Sequence, residues 1–155
     1  MPRPGRRTFV IASVFLLLVG GLTAYGHFAY RSADPALLAI EATLRGYRVP
    51  LGLGMAPSLL DLQDALSLTM AASLVWLGVM GIAIGLSDAS AQVLRRMTFV
   101  NLAGCAGLVV LFAHFRIPPP LVSLALVEVL FVLSLLRQAM GLGHSRDASG
   151  AVTHG

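Results

Sequence analysis

Four long apolar stretches, separated by short polar or proline-containing segments, dominate the chain. A helix rises about 1.5 Å per residue, so roughly 17 to 25 residues cross a hydrocarbon core of about 30 Å. The pattern therefore predicts four membrane-spanning helices, at about residues 8–30, 62–86, 98–115 and 120–137. Three prolines in the link from Arg116 to Pro120 cannot continue a helix. We expect the last two spans to form an antiparallel hairpin.

The connection between the first two spans has a helical pattern of its own. Asp34 and Pro35 are typical of an N-cap followed by proline at the first helical position, and Gly46 is typical of a helix end. Between them lies an apolar stripe made of Leu37, Leu38, Ile40 and Leu44. The predicted fold class is thus all-α: a four-transmembrane-helix bundle with a short amphipathic helix in the first outer loop.

Local signals also set the limits of the predicted membrane domain, residues 1–140. Ser58 and Asp61 have the spacing of a capping box, with Asp in place of the usual Glu, so the second span should begin near Leu59. Residues 141–155 are small and polar, and we expect them to form a disordered tail.

Composition agrees with a membrane protein. The chain has 155 residues, of which 57% are hydrophobic and 12% are charged. Soluble domains carry about a quarter charged residues. The composition therefore excludes a nucleic-acid binder, a disordered protein and an ordinary cytosolic enzyme, and it makes the lipid bilayer the main partner.

The basic residues predict the orientation. All eleven are arginines, and they cluster at the ends of the spans. Membrane proteins keep an excess of basic residues in cytoplasmic loops. If the N-terminus is inside, seven arginines lie inside and four outside, so we expect a multi-pass protein of the bacterial inner membrane with both termini cytoplasmic. The inner set is Arg3, Arg6, Arg7, Arg95, Arg96, Arg137 and Arg146, and the outer set is Arg31, Arg45, Arg48 and Arg116.

An alternative concerns the first span. Arg6 and Arg7, followed by an apolar run, look like a twin-arginine signal with small residues near Ala24. Against cleavage, the apolar run is long and reaches Tyr25 and Tyr30, which suit a membrane interface. We favour a retained first span.

Small and polar positions predict which helix faces point inward, because helices in lipid associate through close packing and shared polar contacts. In the second span, Gly81 and Gly85 form a GxxxG pair, for which we favour packing within the chain over dimerisation. The third span has an inward stripe that includes Ala103, Gly107 and His114. Its adjoining side carries Asn101, Gly104 and Cys105, and Asn101 is expected to hold an interhelical hydrogen bond. In the fourth span the inward positions are Ser123, Ala125, Glu128 and Ser134.

Glu128 is the residue of the chain with the highest free-energy cost of insertion into a membrane. It lies at the middle of the fourth span, about 12 Å from either boundary at the helical rise. An unpaired carboxylate there costs several kcal/mol; insertion scales give about 3 kcal/mol for a comparable acid. The side chain must therefore be protonated, paired or hydrated, and partners such as Ser73 or Asn101 are expected. A neutral hydrogen-bonding acid is the favoured interpretation, and a proton relay is the alternative.

Histidines and acids are predicted to meet at the outer mouth of the bundle. His27 ends the first span, His114 ends the third, and Asp61 and Asp64 begin the second, with Glu41 on the loop helix above them. Imidazole and carboxylate ligands suit transition metals, and paired histidines on different helices ligate haem. A quinone head group is a better candidate than haem, which usually needs a deeper histidine pair.

A simpler interpretation of this cluster is favoured. Histidines at membrane boundaries are ordinary amphipathic residues, and carboxylates in a first helical turn favour the helix dipole. The chain also has no Gly-rich phosphate loop, serine elbow or zinc-binding spacing. We therefore predict no catalytic residue, no metal and no bound cofactor, with quinone or haem as alternatives.

Several short motifs resemble a family. The chain is similar to a group of uncharacterised bacterial four-helix membrane proteins, which are distantly similar to the DoxX-like superfamily. The resemblance covers about residues 8–137 and implies the fold and the inner-membrane location, but no activity. Quinone-linked chemistry in some DoxX-like relatives raises that hypothesis by analogy alone. The motifs are Gly26-His27, the outer helix with Glu41, Ser58-Leu59-Leu60-Asp61, Leu66-Ser67-Leu68-Thr69-Met70, Asn101 and the link from Phe115 to Pro120.

Three functional hypotheses follow. The leading one is a non-enzymatic accessory or assembly partner, which binds another membrane protein or a second copy of itself. The second is a redox-linked or quinone-contacting subunit that uses the outer-mouth residues. Proton-coupled transport through Glu128 ranks last, because the chain has no inverted repeat or broken helix.

Overall fold

A computed structural model describes residues 5–29, 34–114, 116 and 118–150, without the side chains of 118, 119 and 141–150. Along these residues five helices follow each other: α1 (Arg6–Ala29), α2 (Pro35–Gly46), α3 (Leu59–Leu86), α4 (Ala91–His114) and α5 (Pro118–Gly150). Four of them, α1, α3, α4 and the Pro120–Met140 part of α5, are long and apolar enough to cross a membrane. The predicted all-α four-helix bundle is confirmed, and its helices are compatible with a multi-pass membrane protein.

The expected caps start α2 and α3. The Asp34 side chain accepts a hydrogen bond from the Ala36 backbone N–H at 2.9 Å. At the start of α3, Asp61 N–H donates to Ser58 Oγ at 3.1 Å, and Ser58 N–H donates to Asp61 Oδ2 at 3.0 Å. This reciprocal pair is the predicted capping box, and it satisfies N–H groups that a first helical turn leaves without partners.

Two helix boundaries differ from the sequence prediction. α4 begins at Ala91 rather than near residue 98, because Ser90 Oγ accepts from Val93 N–H at 3.3 Å and caps the extra turns. α5 continues to Gly150, so residues 141–150 form helix where a disordered tail was expected. No proline follows Pro120, and each added residue gains a helical hydrogen bond. Residues 151–155 lie outside the described residues.

The chain divides into two compact units. The first comprises residues 1–19 and 75–155, and it holds parts of α1 and α3 together with α4 and α5. In its core the rings of Phe9 and Phe131, both fully buried, lie 5.8 Å apart. α4 and α5 pack against each other as the expected hairpin. The buried apolar residues of this unit are Phe9, Ala12, Leu16, Leu94, Cys105, Phe112, Leu124, Val127 and Phe131.

Glycines bring α3 close to α1 inside this first unit. A methyl group added at Gly78 would lie 2.7 Å from the Leu17 backbone nitrogen. One added at Gly81 would collide with Ser13, and one at Gly85 with Val10. The GxxxG pair thus packs within the chain, as the sequence favoured, because the missing side chains let the two helix backbones approach.

α4 presents a different face to the core from the one predicted. Thr98, Asn101 and Cys105 are buried, whereas Ala103 and Gly107 are exposed. Two positions along a helix correspond to about 200° of rotation, so the expected stripe lies nearly opposite the true interior. The predicted stripe was wrong because both faces of α4 carry small or polar residues, whereas Asn101 and Cys105, expected on the adjoining side, are buried.

α5 also differs from the expected pattern. Leu124, Val127 and Phe131 are fully buried, and among the predicted inward positions Ser134 is buried as well. The other three, Ser123, Ala125 and Glu128, are half-buried. Large apolar side chains of α5 therefore fill the core together with Ser134, and the other three predicted positions lie on its flanks.

The second unit, residues 20–74, contains α2 and the loop that joins it to α3. No residue of α2 is buried, so its apolar stripe is uncovered. The loop folds back through isolated bridges of Arg48 with Ser58 and Gly52 with Met55. At its tip Leu53 has φ of 52° and is 97% exposed. A large side chain in the left-handed region is strained, which makes this tip an unusual feature.

Candidate functional site

His27 and Asp64 come together within the second unit. His27 Nε2 lies 3.9 Å from Asp64 Oδ1, and the two side chains are 20% and 46% exposed. His27 lies in the last turn of α1, and Asp64 lies in the second turn of α3. The His27 ring also makes an edge contact with Phe28, at 5.3 Å between ring centroids. The result is a partly exposed imidazole beside a carboxylate, which can offer both a donor and an acceptor to a polar ligand.

The other two acids of this unit take different roles. The Asp61 carboxylate is engaged by the Ser58 backbone, so it belongs to the helix cap rather than to an open ligand site. Glu41 is exposed on α2. Of the expected outer-mouth residues in residues 20–74, the structure thus pairs His27 with Asp64 alone.

His114 belongs to the first unit, where it is exposed in the last turn of α4. Its convergence with His27 and the acids stays a prediction. Across the described part of the chain, no three His, Cys, Asp or Glu side chains are grouped so that they could hold a metal ion.

Glu128 lies half-buried on the flank of α5. It is within electrostatic range of Cys105 on α4, in the same unit. Ser73, one of the expected partners, is exposed and donates its hydroxyl hydrogen to the Thr69 carbonyl at 2.8 Å. Glu128 therefore borders the core of the first unit. It makes no hydrogen bond with Asn101, whose amide has no partner among the described residues, and its contact with Ser73 stays a prediction.

Asn101 is buried as expected, but its expected interhelical hydrogen bond is not formed. Within the described residues, neither its Oδ1 nor its Nδ2 has a hydrogen-bond partner. The buried amide that does link two helices is Gln138 of α5, whose Nε2 donates to Thr98 Oγ1 of α4 at 3.1 Å. The sequence pattern predicted the interhelical hydrogen bond at Asn101. It did not indicate Gln138, because this residue lies just beyond the fourth apolar stretch.

Gln138 is part of a polar cluster of which the sequence predicted only Ser134 as an inward position. Its Nε2 also donates to Ser134 Oγ at 3.0 Å. Ser134 Oγ in turn donates to the Gly5 carbonyl at 3.0 Å, and Arg137 Nη1 donates to Thr8 Oγ1 at 2.7 Å. These contacts join the start of α1 to α4 and α5. The four-residue spacing of Ser134 and Gln138, which places both on one helix face, is the signal that could have revealed them.

Arg6 holds the end of α3 in the same unit. Its guanidinium donates to the Gly85 carbonyl through Nε and to the Ser87 carbonyl through Nη2, the latter at 2.8 Å. The last carbonyls of a helix have no partner within the helix, and a cation is favoured beside them. Arg6 is thus fixed by the fold, whereas Arg7, Arg95 and Arg96 are exposed.

α4 also carries an open surface of small residues. Among the described residues, a methyl group added at Gly104 or Gly107 would meet no atom within 4 Å, and Ala103 beside them is exposed. Gly78, Gly81 and Gly85 of α3, by contrast, are covered by α1. We call Ala103, Gly104 and Gly107 the open α4 face.

Comparison with known proteins finds no match, either to a family model, to a curated protein or to a solved structure.

Proposed function

We propose that the chain is an accessory or assembly subunit of the bacterial inner membrane that binds another membrane protein through the open α4 face. The observation that carries this proposal is the contrast between the two sets of glycines. Those of α3 are filled by α1, whereas Gly104 and Gly107 have free space before them. Small residues allow close approach of helices in lipid, where association depends on packing and not on a hydrophobic driving force.

The surroundings of this face support a helical partner. Val100 and Leu111 are both about half exposed at 58% and 48%, and they lie one turn before Gly104 and one turn after Gly107. A groove of small residues with branched side chains at its ends suits a transmembrane helix that packs along α4. The resemblance to small DoxX-like bundles is compatible with such a role.

The test is co-purification from native membranes in mild detergent. The tagged wild-type chain should recover a partner in fixed ratio. Gly107→Leu fills the open α4 face and should lose that partner, while Gly21→Leu, at another glycine with no atom within 4 Å, should keep it. Recovery of the wild-type chain alone, or equal loss in both variants, would overturn the proposal. Recovery of an untagged copy of the same chain would identify a homo-oligomer instead of an accessory subunit.

A second candidate function is a redox-linked or quinone-contacting subunit, and the pairing of His27 with Asp64 favours it. A quinone carbonyl accepts hydrogen bonds, and an imidazole N–H oriented by a carboxylate is a suitable donor. Organic extraction of the purified protein, followed by an ultraviolet spectrum, should then yield quinone from wild type and less from His27→Gln. A spectrum without quinone, and equally without haem, would remove this candidate.

A further inference from the structure

Two amide side chains are buried in the first unit without full hydrogen bonding. Asn101 of α4 is 3% exposed and Gln138 of α5 is 7% exposed. Three of their polar atoms have no partner among the described residues: Asn101 Oδ1, Asn101 Nδ2 and Gln138 Oε1. Buried polar groups in proteins nearly always have a partner, and a hydrocarbon core offers no bulk water to provide one.

The neighbouring hydroxyl groups fix the orientation of the Gln138 amide. Thr98 Oγ1 donates its hydrogen to the Leu94 carbonyl at 2.8 Å, and Ser134 Oγ donates to the Gly5 carbonyl at 3.0 Å. Each hydroxyl has one hydrogen, so both oxygens can only accept from Gln138. The Gln138 nitrogen must therefore face them, at 3.1 and 3.0 Å. Reversing the amide would set its oxygen against two oxygens that have no hydrogen left to donate.

This orientation has a consequence for Gln138 Oε1. With both amide hydrogens committed, its oxygen is turned away from Thr98 and Ser134 and accepts from no protein atom in the described residues. One turn along α4 from Thr98, on the same buried face, lies Asn101 with a free donor and a free acceptor. The unpartnered atoms are thus two acceptors and one donor group, and Asn101 lies one turn along α4 from Thr98, the residue that receives the Gln138 hydrogen bond.

We propose that an ordered water molecule is bound between α4 and α5, where it bridges Asn101 and Gln138. Water has two hydrogens to donate and lone pairs that accept, in the smallest volume of any such ligand. It donates to Asn101 Oδ1 and to Gln138 Oε1, and it accepts from Asn101 Nδ2. All three unpartnered atoms are then satisfied by one molecule. The site is independent of the open α4 face and of the proposed accessory function.

The bridge completes a polar layer across three helices. Gly5 and Thr8 bring in α1, Thr98 and Asn101 belong to α4, and Ser134, Arg137 and Gln138 belong to α5. The water extends this layer one turn further along α4, to Asn101. It therefore fixes the register of the α4–α5 hairpin, because sliding either helix by one turn breaks the bridge.

The chain offers a direct test, because Asn101 is its one asparagine. The full-length protein, labelled with nitrogen-15 on the asparagine side chain and reconstituted in vesicles of phosphatidylcholine and phosphatidylglycerol, gives a single Asn amide signal. Water-edited solid-state NMR measures the transfer of magnetisation from water to that amide. We expect strong transfer to Asn101 and weak transfer to the methyl groups of Leu124, which is fully buried in the same unit.

Controls separate the outcomes. A second sample labelled on glutamine contains Gln63, Gln92 and Gln138, and the exposed Gln92 side chain should receive magnetisation in any case. Gln138→Leu removes one anchor and should reduce the transfer to Asn101, whereas Gln92→Leu should leave it unchanged. Transfer to Asn101 no stronger than to Leu124 would overturn the proposal. Contacts from Asn101 to hydrogens of neither water nor protein would overturn it too, since a bound organic molecule would then occupy the site. If Gln138→Leu does not fold, the wild-type measurement still decides.

Discussion

Gly78 of α3 packs directly on the backbone of α1 at Leu17. A methyl group at Gly78 would lie 2.7 Å from the Leu17 nitrogen and 2.8 Å from its Cα. Backbone atoms cannot rotate away as a flexible side chain does, so the helices themselves would have to separate. Among the glycines of α3, Gly78 is therefore the one at which an added methyl group would meet the backbone of α1.

Gly78→Ala should therefore destabilise the protein. Overpacking of a filled interior costs about 1–3 kcal/mol, and we expect a decrease of that size in the free energy of unfolding. Gly104→Ala is the matched control, because no atom lies within 4 Å of the added methyl and alanine favours a helix by about 1 kcal/mol. Reversible unfolding in detergent micelles measures the free energy of unfolding of wild type and of both variants. Equal stability of the two variants would show that α1 and α3 do not pack at Gly78.

The hydrogen bond between Gln138 and Thr98 predicts that substitutions of the two residues have non-additive effects on the free energy of unfolding. Thr98→Val preserves shape but removes the acceptor, and Gln138→Leu removes the donor. Hydrogen bonds between membrane helices contribute roughly 0.5 to 2 kcal/mol, so a double-mutant cycle should give a coupling free energy in that range. Gln92→Leu combined with Thr98→Val is the control and should be additive. Additivity in the Gln138 cycle would mean that the two side chains do not interact.

The sequence predicted the parts of the fold that local signals determine. Hydropathy located the spans, and Ser58 with Asp61 marked the start of α3, because a cap forms between residues close in the chain. The inward face of α4 was wrong, since it depends on what α1 and α5 present to it. Gln138 was missed for the same reason: its partners Thr98 and Ser134 lie on another helix and one turn away, and their own hydrogens are donated to the Leu94 and Gly5 carbonyls.

The candidate site was predictable in part. His27 and Asp64 lie at helix ends joined by one connection, so topology alone brings them near the same level. Local geometry decides whether a carboxylate can bind a ligand. The Asp61 carboxylate accepts the Ser58 N–H in the helix cap, whereas the Asp64 carboxylate lies beside His27. Hydropathy and spacing contain no information on that difference.

Glu128→Gln should leave stability and partner recovery unchanged. The half-buried side chain borders the core near Cys105, and glutamine keeps its length and hydrogen-bonding capacity. We expect the melting temperature in detergent to shift by less than about 3 °C, which corresponds to roughly 1 kcal/mol for a chain of this size. Glu128→Leu tests whether a polar group is needed at all. Loss of partner recovery in Glu128→Gln as well as in Glu128→Leu would assign a role to the ionisable group, whereas loss in Glu128→Leu alone would assign the role to hydrogen bonding.

The positive φ of Leu53 indicates that the tip of the loop between α2 and α3 is strained. Its φ of 52° is costly for leucine and acceptable for asparagine. Leu53→Asn should therefore stabilise the loop by about 1 kcal/mol, seen as slower hydrogen exchange at the Met55 amide, which donates to the Gly52 carbonyl. Leu51→Asn, at a neighbouring exposed position without a positive φ, should not slow exchange. Faster exchange in Leu53→Asn would indicate that the leucine side chain holds the loop in place.

The orientation of the chain can be tested by cysteine labelling in intact cells. Ala42→Cys lies on exposed α2, and Ala91→Cys lies at the exposed start of α4. Because the arginine excess predicts cytoplasmic termini, a membrane-impermeant maleimide should label Ala42→Cys at once and Ala91→Cys only after the membrane is permeabilised. The wild-type chain is the control, since Cys105 is 3% exposed and should stay unlabelled. Labelling of both positions from the same side would contradict the membrane crossing predicted for α3, and with it the four-span topology.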